Sequence, residues 1–358
     1  MSVASSRLGL VVAAFVGLVL VGCGSGGASH VSTPMDAPDG TADVADVPSP
    51  LPDVPPPAPE TSPEPTEDVA EDAAEPPPPP PPPHYEGTFP TSPGFGEVTL
   101  SVAGLDRDME VYVPVALASP PSLVIAFHGT SGGMHDSFDG TEIQELADSH
   151  GFVVVAPASR WWGEGQGDWD NHSGNDRWWE TWPNVDPDAN ADLVLVRAII
   201  AEAETRYGVD PKRIYTFGFS NGGFFSLFVA MILRDEIAAF AEAASGLVTC
   251  PTTGDCGFVG EGATCEALSK VEGWCACDGQ EKPVPIPTTG RIPPGILAHN
   301  TVDYTVSVYY SCALQSRMQA LGGEAVLDLW TDGDASHAIE PNFMTKAWAF
   351  FEAHPLGP

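Results

Sequence analysis

The order of apolar segments predicts an α/β fold with a mostly parallel central sheet and helices on both faces. Short continuous apolar runs, typical of strands buried on both faces, alternate along the chain with amphipathic helical patterns. Two alternating segments, 99–103 and 109–113, precede them and predict an antiparallel start with a turn at 104–108. The predicted buried strands are 123–127, 152–156, 214–217, 240–244, 295–298 and 325–329, and the predicted helices are 142–150, 192–207, 224–233, 308–321 and 346–353.

A third observation narrows the fold class. The residues Gly218-Phe219-Ser220-Asn221-Gly222 match the pattern G-x-S-x-G between a predicted strand and a predicted helix. In this pattern the serine occupies a strained strand-to-helix turn, and the following helix places N–H groups where an oxyanion would form. With the antiparallel start, the pattern predicts an α/β-hydrolase fold with Ser220 as nucleophile. An ordinary glycine-containing turn is the alternative.

A serine nucleophile needs a histidine that takes its proton and a carboxylate that orients the histidine. In this fold the chain order is serine, acid, histidine. His337 lies in a loop of small residues after the last predicted strand, whereas His354 ends the last helix, so we predict His337 as the base. Asp303 follows the preceding strand, and we predict it as the acid in preference to Asp332 and Asp334, which lie close to His337 in sequence.

An oxyanion hole needs two backbone N–H groups aimed at one point. We predict those of Asn221, directly after the serine, and Thr130, in the loop after the first buried strand. His128 begins that loop, and because it precedes the serine in the chain we expect it to brace the loop by hydrogen bonds.

The segment 161–182 holds six of the nine tryptophans of the chain. One interpretation is an aromatic platform for a sugar, a phenolic ring or a polyester chain, with Trp178, Trp179 and Trp182 as the substrate-binding candidates. The other is a lid-like loop that uses tryptophan for its own small core. A calcium site is disfavoured because the spacing of Asp168, Asp170, Asn171 and Asp176 misses the calcium-loop pattern, so we predict no metal and no cofactor.

The N-terminus predicts a targeting segment. Arg7 precedes an apolar run, 8–21, that is shorter than the roughly 20 residues of a membrane-spanning helix. The residues 20–23 resemble a lipobox, which predicts a lipoprotein signal peptide over 1–22 and lipid attachment to Cys23. Export from a bacterial cytoplasm to the cell envelope or beyond follows. A transmembrane anchor and a plain cleaved signal peptide are the alternatives.

Residues 23–86 predict an acidic, proline-rich disordered linker, and 87–358 predict one catalytic domain. The linker includes an unbroken proline run, Pro76 to Pro83, which favours a stiff polyproline II spacer. The whole chain carries 49 acidic residues against 14 Lys and Arg. This balance excludes nucleic acid as a partner, because phosphates need a basic face. We predict a monomer whose partners are its substrate and, through Cys23, a membrane.

Six cysteines follow Cys23, and an even set in an exported chain predicts disulfides of undetermined pairing. A zinc site is the alternative, but Cys275 and Cys277 are one residue apart and no histidine lies near them. Most fall in a predicted insert at about 250–290. The six disulfide candidates are Cys250, Cys256, Cys265, Cys275, Cys277 and Cys312.

Three blocks of the sequence, 123–129, 206–223 and 299–303, together resemble the polyhydroxybutyrate depolymerase and feruloyl esterase family of α/β-hydrolases. The resemblance implies Ser220 as nucleophile, Asp303 as acid and His337 as base of an esterase that works through an acyl-enzyme without a cofactor. It implies as substrate either a feruloyl or acetyl ester of a polysaccharide or a hydroxyalkanoate ester. Two positions depart from the family pattern: Asn300 replaces its usual glycine, and 336–340 lacks its Gly-His-x-Trp-Pro.

Two other function classes are compatible with the predicted fold. A serine peptidase of the prolyl oligopeptidase type shares the fold, but it normally carries a large N-terminal propeller for which the linker leaves no room. A catalytically inactive surface binding protein on the same scaffold is the other, and the presence of Ser220, Asp303 and His337 argues against it.

Overall fold

The computed structural model describes residues 82–163, 168–169, 176–181, 185–247, 260–271, 274, 286–334 and 337–357. All of them belong to one unit, Pro76–Pro358. The predicted signal peptide, Cys23 and nearly all of the predicted linker lie outside the described residues. Within the described part of the chain, no helix combines the length and the apolar character needed to cross a membrane.

The described strands form one large sheet and one small sheet. In the large sheet the order is β1-β2-β3-β5-β4-β9-β10-β11-β12, antiparallel from β1 to β5 and parallel from β5 to β12. Its strands are β1 (Tyr85–Glu86), β2 (Gly94–Val102), β3 (Leu105–Val113), β4 (Leu123–Phe127), β5 (Val153–Pro157), β9 (Ile214–Phe219), β10 (Ala239–Ala243), β11 (Gly295–Asn300) and β12 (Ala325–Trp330). The small sheet has the order β7-β6-β8, from β6 (Arg160–Gly163), β7 (Asp168–Trp169) and β8 (Asp176–Trp178).

The helices connect the parallel strands and cover both faces of the large sheet. They are α1 (Ile143–His150), α2 (Ala191–Tyr207), α3 (Asn221–Ile232), α4 (Cys265–Leu268), α5 (Tyr309–Ala320) and α6 (Phe343–Ala353). Residues of α2, α3 and α5 pack in one hydrophobic core, and residues of α1 and α6 pack in a second core on the opposite face. The predicted α/β-hydrolase architecture is therefore confirmed.

Local signals explain several element boundaries. Asn190 caps α2, since its Oδ1 accepts hydrogen bonds from the N–H groups of Asp192 and Leu193. Gly208 ends the same helix with a φ of +65°, a conformation that glycine adopts without strain. Both signals are visible in the sequence, and the predicted helix over 192–207 differs from α2 by one residue.

The antiparallel start differs from the prediction. Strands β2 and β3 run to a tight turn at Ala103 and Gly104, both with positive φ, so the predicted five-residue turn was wrong. The first strand, Tyr85–Glu86, pairs with β2 inside the segment assigned to the linker. The sheet therefore begins before residue 87.

A disulfide joins the predicted insert to the rest of the domain. Cys265 in α4 and Cys312 in α5 are bonded, with an S–S distance of 2.01 Å. This bond confirms disulfide formation for these two cysteines. It connects α4 to α5, a helix that packs on the large sheet. The other four candidates, Cys250, Cys256, Cys275 and Cys277, lie outside the described residues.

Candidate active site

Ser220 occupies a strained turn between β9 and α3. Its φ of +53° and ψ of −123° are rare for a residue with a side chain. A Cβ on Gly222 would collide with the carbonyl oxygens of Phe127 and His128, and a Cβ on Gly218 would collide with the backbone of Gly222. The two glycines of the pattern are therefore needed for the close contact of α3 with β9 and with the end of β4.

The structure brings Ser220 together with the predicted base and acid. His337 Nε2 lies 3.0 Å from Ser220 Oγ, and His337 Nδ1 lies 2.7 Å from Asp303 Oδ2. The three side chains follow β9, β12 and β11, whose carboxyl ends meet at one edge of the parallel sheet. The arrangement lets a proton pass from a serine hydroxyl to an imidazole that a carboxylate orients.

Asp303 is buried and fully supplied with donors. Its Oδ1 accepts hydrogen bonds from the N–H groups of Thr305, at 2.8 Å, and Val306, at 2.9 Å. Burial alone would raise the pKa of Asp303, but contacts from His299 and His337 and the Val306 N–H outweigh it and hold that pKa well below the usual range. The carboxylate is therefore ionised at neutral pH.

The alternative acids and base have other contacts. Asp332 Oδ1 accepts a hydrogen bond from the N–H of Asp334 within their own loop. His354 contacts the Phe350 carbonyl and Glu324 at the end of α6, and so lies apart from the serine. None of these contacts involves Ser220.

Asn300, one of the departures from the family pattern, joins the acid loop to the base loop. Its Nδ2 donates to the carbonyl of Asp332 at 2.7 Å, and its Oδ1 accepts from the N–H groups of Val302 and Asp332. The amide thus ties the loop of Asp303 to the loop of His337, which a glycine cannot do. Its role was not predicted from the sequence.

The predicted oxyanion loop lies against the serine. A Cβ on Gly129 would sit 3.3 Å from Ser220 Cβ, so the backbone leading to Thr130 passes beside the nucleophile. His128 Nδ1 donates to the Gly129 carbonyl at 2.6 Å, and His128 Nε2 accepts from the N–H of Ser159 at 2.9 Å. Burial lowers the pKa of His128 to about 4, so it is neutral and braces the loop.

Trp179 is a structural residue, and its assignment to substrate binding was wrong. Its side chain is 2% exposed and stacks on Phe225 of α3 with ring centroids 4.9 Å apart. Its Nε1 donates to the His128 carbonyl, and its N–H donates to Asn221 Oδ1. Trp179 therefore fixes the turn at Ser220 to the loop that begins at His128.

The rest of the tryptophan-rich segment is partly described. Trp178 is 39% exposed and so remains a substrate-binding candidate. Trp182, together with Asp170 and Asn171 of the calcium alternative, lies outside the described residues. Arg177 of β8 packs its guanidinium on the ring of Trp161, 4.3 Å from the centroid, and its carbonyl accepts from the N–H of Ser131. The small sheet therefore supports the predicted oxyanion loop at Ser131.

An open cleft of about 610 Å³ lies beside the reactive groups. Apolar contacts come from Phe219 and Ile339, and the two carboxylates of Asp136 and Asp139 lie on the opposite loop, which also contributes Thr130. His337 lines the same cleft, and its Nε2 lies 3.0 Å from Ser220 Oγ.

A buried carboxylate near Ser220 was not predicted from the sequence. Glu242 of β10 is 0% exposed, and neither of its oxygens has a hydrogen-bond partner within the described part of the chain. Burial raises its pKa to about 8, so it is protonated at neutral pH. The signal was present as a single charged residue inside the apolar strand Ala-Phe-Ala-Glu-Ala.

No known family model matches the chain. Curated relatives do match part of it. The chain is 34% identical over 138 residues to a bifunctional acetylxylan esterase/xylanase of Neocallimastix patriciarum, covering 38% of this chain and 18% of that protein. It is 29% identical over 119 residues to feruloyl esterase B of Neurospora crassa, covering 32% and 36%. It is 30% identical over 131 residues to acetylxylan esterase A of Aspergillus ficuum, covering 37% and 40%. The chain spans less than half the length of each of these relatives.

Solved structures share the fold at low sequence identity. Native sOPH superposes with a TM-score of 0.54 at 16% identity, covering 75% of this chain and 89% of that one. An S-formylglutathione hydrolase from Agrobacterium tumefaciens gives 0.52 at 15% identity, covering 76% and 99%. The chain therefore has the α/β-hydrolase fold and is similar, over part of its length, to fungal feruloyl and acetylxylan esterases.

Proposed function

We propose that this chain is a serine esterase that hydrolyses carboxylic esters, with Ser220 as nucleophile, His337 as base and Asp303 as acid. The observation that carries the proposal is the continuous contact from Ser220 Oγ to His337 and on to Asp303, at 3.0 and 2.7 Å. The relatives, which are named as esterases, favour the same chemistry.

In the first step His337 Nε2 takes the proton of Ser220 Oγ while that oxygen attacks the ester carbonyl. The N–H groups of Thr130 and Asn221 would stabilise the negative oxygen that forms. Protonated His337, held by Asp303, then gives its proton to the departing alcohol. Water, activated by the same histidine, releases the acid from the acyl-enzyme and restores Ser220.

For the substrate we propose an acetyl or feruloyl ester on a polysaccharide. Names of the relatives favour this class over a hydroxyalkanoate ester. The open cleft supports it, because a wide entrance admits an acyl group that stays attached to a large polymer.

The test is ester cleavage by the full chain, made under oxidising conditions so that Cys265 and Cys312 can pair. Substrates are p-nitrophenyl acetate, acetylated xylan, methyl ferulate and a hydroxybutyrate oligomer. We expect cleavage of the acetyl or feruloyl substrates and a loss of about 10³-fold or more in Ser220→Ala. Ser149→Ala, which removes an exposed serine of α1, is the matched control and should keep full activity.

Preference for the hydroxybutyrate oligomer would overturn the substrate class but keep the mechanism. Cleavage of peptides in place of esters would support the peptidase alternative. A folded chain that binds these substrates and cleaves none of them would be a binding protein on an inactive scaffold.

We further propose that the chain is exported and attached to a membrane by lipid on Cys23. The proposal rests on the sequence pattern of 1–23 alone. Incorporation of radiolabelled palmitate in a bacterial host tests it. Cys23→Ser should abolish the label, and persistent label in that variant would refute lipidation at this residue.

A further inference from the structure

The strand that precedes the acid ends with a second histidine, to which the proposed reaction gives no role. His299 is the next-to-last residue of β11 and its side chain is 0% exposed. Side chains alternate along a strand, so His299 shares the face of Leu297, which packs in one core with Leu314 and Met318 of α5. A polar ring buried on this face needs a specific reason.

The hydrogen-bond partners of His299 assign protons to both ring nitrogens. Nε2 lies 2.9 Å from the carbonyl oxygen of Val306, which can only accept, so Nε2 carries a proton. Nδ1 lies 2.6 Å from Ser311 Oγ. The single hydroxyl hydrogen of Ser311 is donated to the Ser245 carbonyl at 2.7 Å, so a lone pair faces Nδ1 and Nδ1 donates as well. An imidazole ring in which both nitrogens donate carries a positive charge.

A negative charge lies beside this cation. His299 Nε2 is 3.6 Å from Asp303 Oδ2, the same oxygen that contacts His337 Nδ1 at 2.7 Å. A distance of 3.6 Å is too long for a hydrogen bond and short enough for a strong charge contact between buried groups. The Asp303 carboxylate therefore lies between two imidazole rings, one facing the serine and one facing the protein interior.

We propose that His299 is a positioning residue that carries a positive charge, holds the Asp303 carboxylate in place and sets the acid limit of the reaction at Ser220. The inference rests on the proposed function. His337 must be neutral to accept the proton of Ser220. A positive charge beside Asp303 weakens the attraction of that carboxylate for protonated His337, and so disfavours the protonated form of the base.

The groups that face His299 come from two loops, one helix and the neighbouring strand. Asp303 and, beyond it, His337 face it from the loops after β11 and β12, while α5 contributes the uncharged hydroxyl of Ser311. Glu242, on the same face of neighbouring β10, is protonated at neutral pH and below, since burial raises its pKa to about 8. Glu242 therefore adds no charge at acid pH.

The test is the pH dependence of two reactions of the full chain, for wild type and His299→Gln. Glutamine keeps an N–H donor for the Val306 carbonyl but carries no charge. The reactions are hydrolysis of p-nitrophenyl acetate and labelling of Ser220 by a fluorophosphonate, which needs no knowledge of the natural ester. We expect the acid limb of both profiles to move to higher pH by about one unit in His299→Gln. At a pH below the acid limbs of both proteins, His299→Gln should therefore react about tenfold more slowly than wild type. The maximal rate at higher pH should change little.

His150→Gln is the matched control, because it makes the same substitution at a half-exposed histidine of α1. It should leave both profiles unchanged. Ser311→Ala is the second variant and removes the acceptor of the Nδ1 proton. It should shift the limb in the same direction by less, and it keeps the test decisive if His299→Gln does not fold.

An acid limb that stays in place while the melting temperature falls would reduce His299 to a purely structural residue and overturn the proposal. Nitrogen NMR of the wild type, labelled at histidine, gives an independent answer. Two protonated nitrogens on His299 at pH 7 are expected, and one unprotonated nitrogen overturns the cation. Failure of the fluorophosphonate to label wild-type Ser220 would instead refute the proposed function, while the NMR result would still decide the charge of His299.

Discussion

Two buried carboxylates, one inside β10 and one in the loop after neighbouring β11, lie in opposite environments. Asp303, in the loop after β11, accepts two backbone N–H bonds and contacts two histidines, and its pKa is lowered despite burial. Glu242, inside β10, has no hydrogen-bond partner in the described part of the chain, and burial raises its pKa to about 8. Ser245 Oγ lies near Glu242 but outside hydrogen-bond geometry. Burial alone therefore does not decide the charge of a carboxylate, because the donors around it do.

The largest expected effect comes from removing the charge of Asp303. Asp303→Asn keeps the size of the side chain but no longer favours the Nδ1 proton of His337, so the base is left in the wrong tautomer. We expect kcat for p-nitrophenyl acetate to fall by about 10⁴-fold. Asp332→Asn, which alters the alternative acid, should change kcat by less than about threefold. A large loss in Asp332→Asn alone would reverse the assignment of the acid.

The next effect is on stability and concerns Glu242. In the unfolded chain its pKa is near the ordinary value of 4.5, and in the folded chain it is about 8. Below pH 4.5 both states keep the proton; as pH rises to about 8 only the unfolded state releases it, so folded stability falls across this window. Urea unfolding at several pH values tests this. Between pH 5 and pH 8 the free energy of unfolding of Glu242→Gln should rise by a few kcal/mol relative to that of wild type.

Glu145→Gln, at an exposed position of α1, is the control and should show no such gain with pH. A stability difference between Glu242→Gln and wild type that is the same at pH 5 and pH 8 would mean that Glu242 is charged in the folded state. The contrast with Asp303 would then be lost.

The smallest expected effect tests what holds the loop of Asp303 against the loop of His337. Asn300→Ala removes the amide that joins the acid loop to the base loop. We expect a loss of about 1–2 kcal/mol in stability, from backbone groups left unpaired, and a fall of about tenfold in kcat, because Asp303 and His337 are held less firmly. Gln319→Ala, an exposed amide of α5, serves as control. Unchanged kcat in Asn300→Ala would mean that the backbone alone positions the acid.

Prediction from sequence worked best where a feature is local. The buried strand at 123–127 matches β4, and the helix ending at Gly208 matches α2, because apolar periodicity and end signals act within a few residues. The turn after β2 was placed too late, because 106–108 are all charged and do not show an apolar alternation. Arg107 is nevertheless buried, and it is paired there with Asp192 of α2. Chain order predicted Asp303 and His337, and both lie in one chain of contacts with Ser220, since in a parallel sheet the residues that follow successive strands gather at one edge.

The tryptophans show where composition misleads. An aromatic residue can form a binding surface or part of a core equally well. Trp178 and Trp179 are adjacent at the end of β8, yet the first side chain is exposed and the second is buried. Trp179 is buried because its ring fits between Phe225 and the end of β4, a space that exists only once α3 and the small sheet are in place. No pattern within the segment carries that information.

The sequence by itself determined the order of strands and helices, the strained turn at Ser220 and the identity of the residues that could take part in chemistry, because each depends on short-range sterics and hydrophobic periodicity. Only the tertiary structure decided the charge of His299 and of Glu242. It also decided the role of Asn300. Each depends on donors and acceptors from segments distant in sequence, such as Ser311 and Asp332, and on the exclusion of water between them. Folding brings those partners together, and their geometry sets which buried groups are charged.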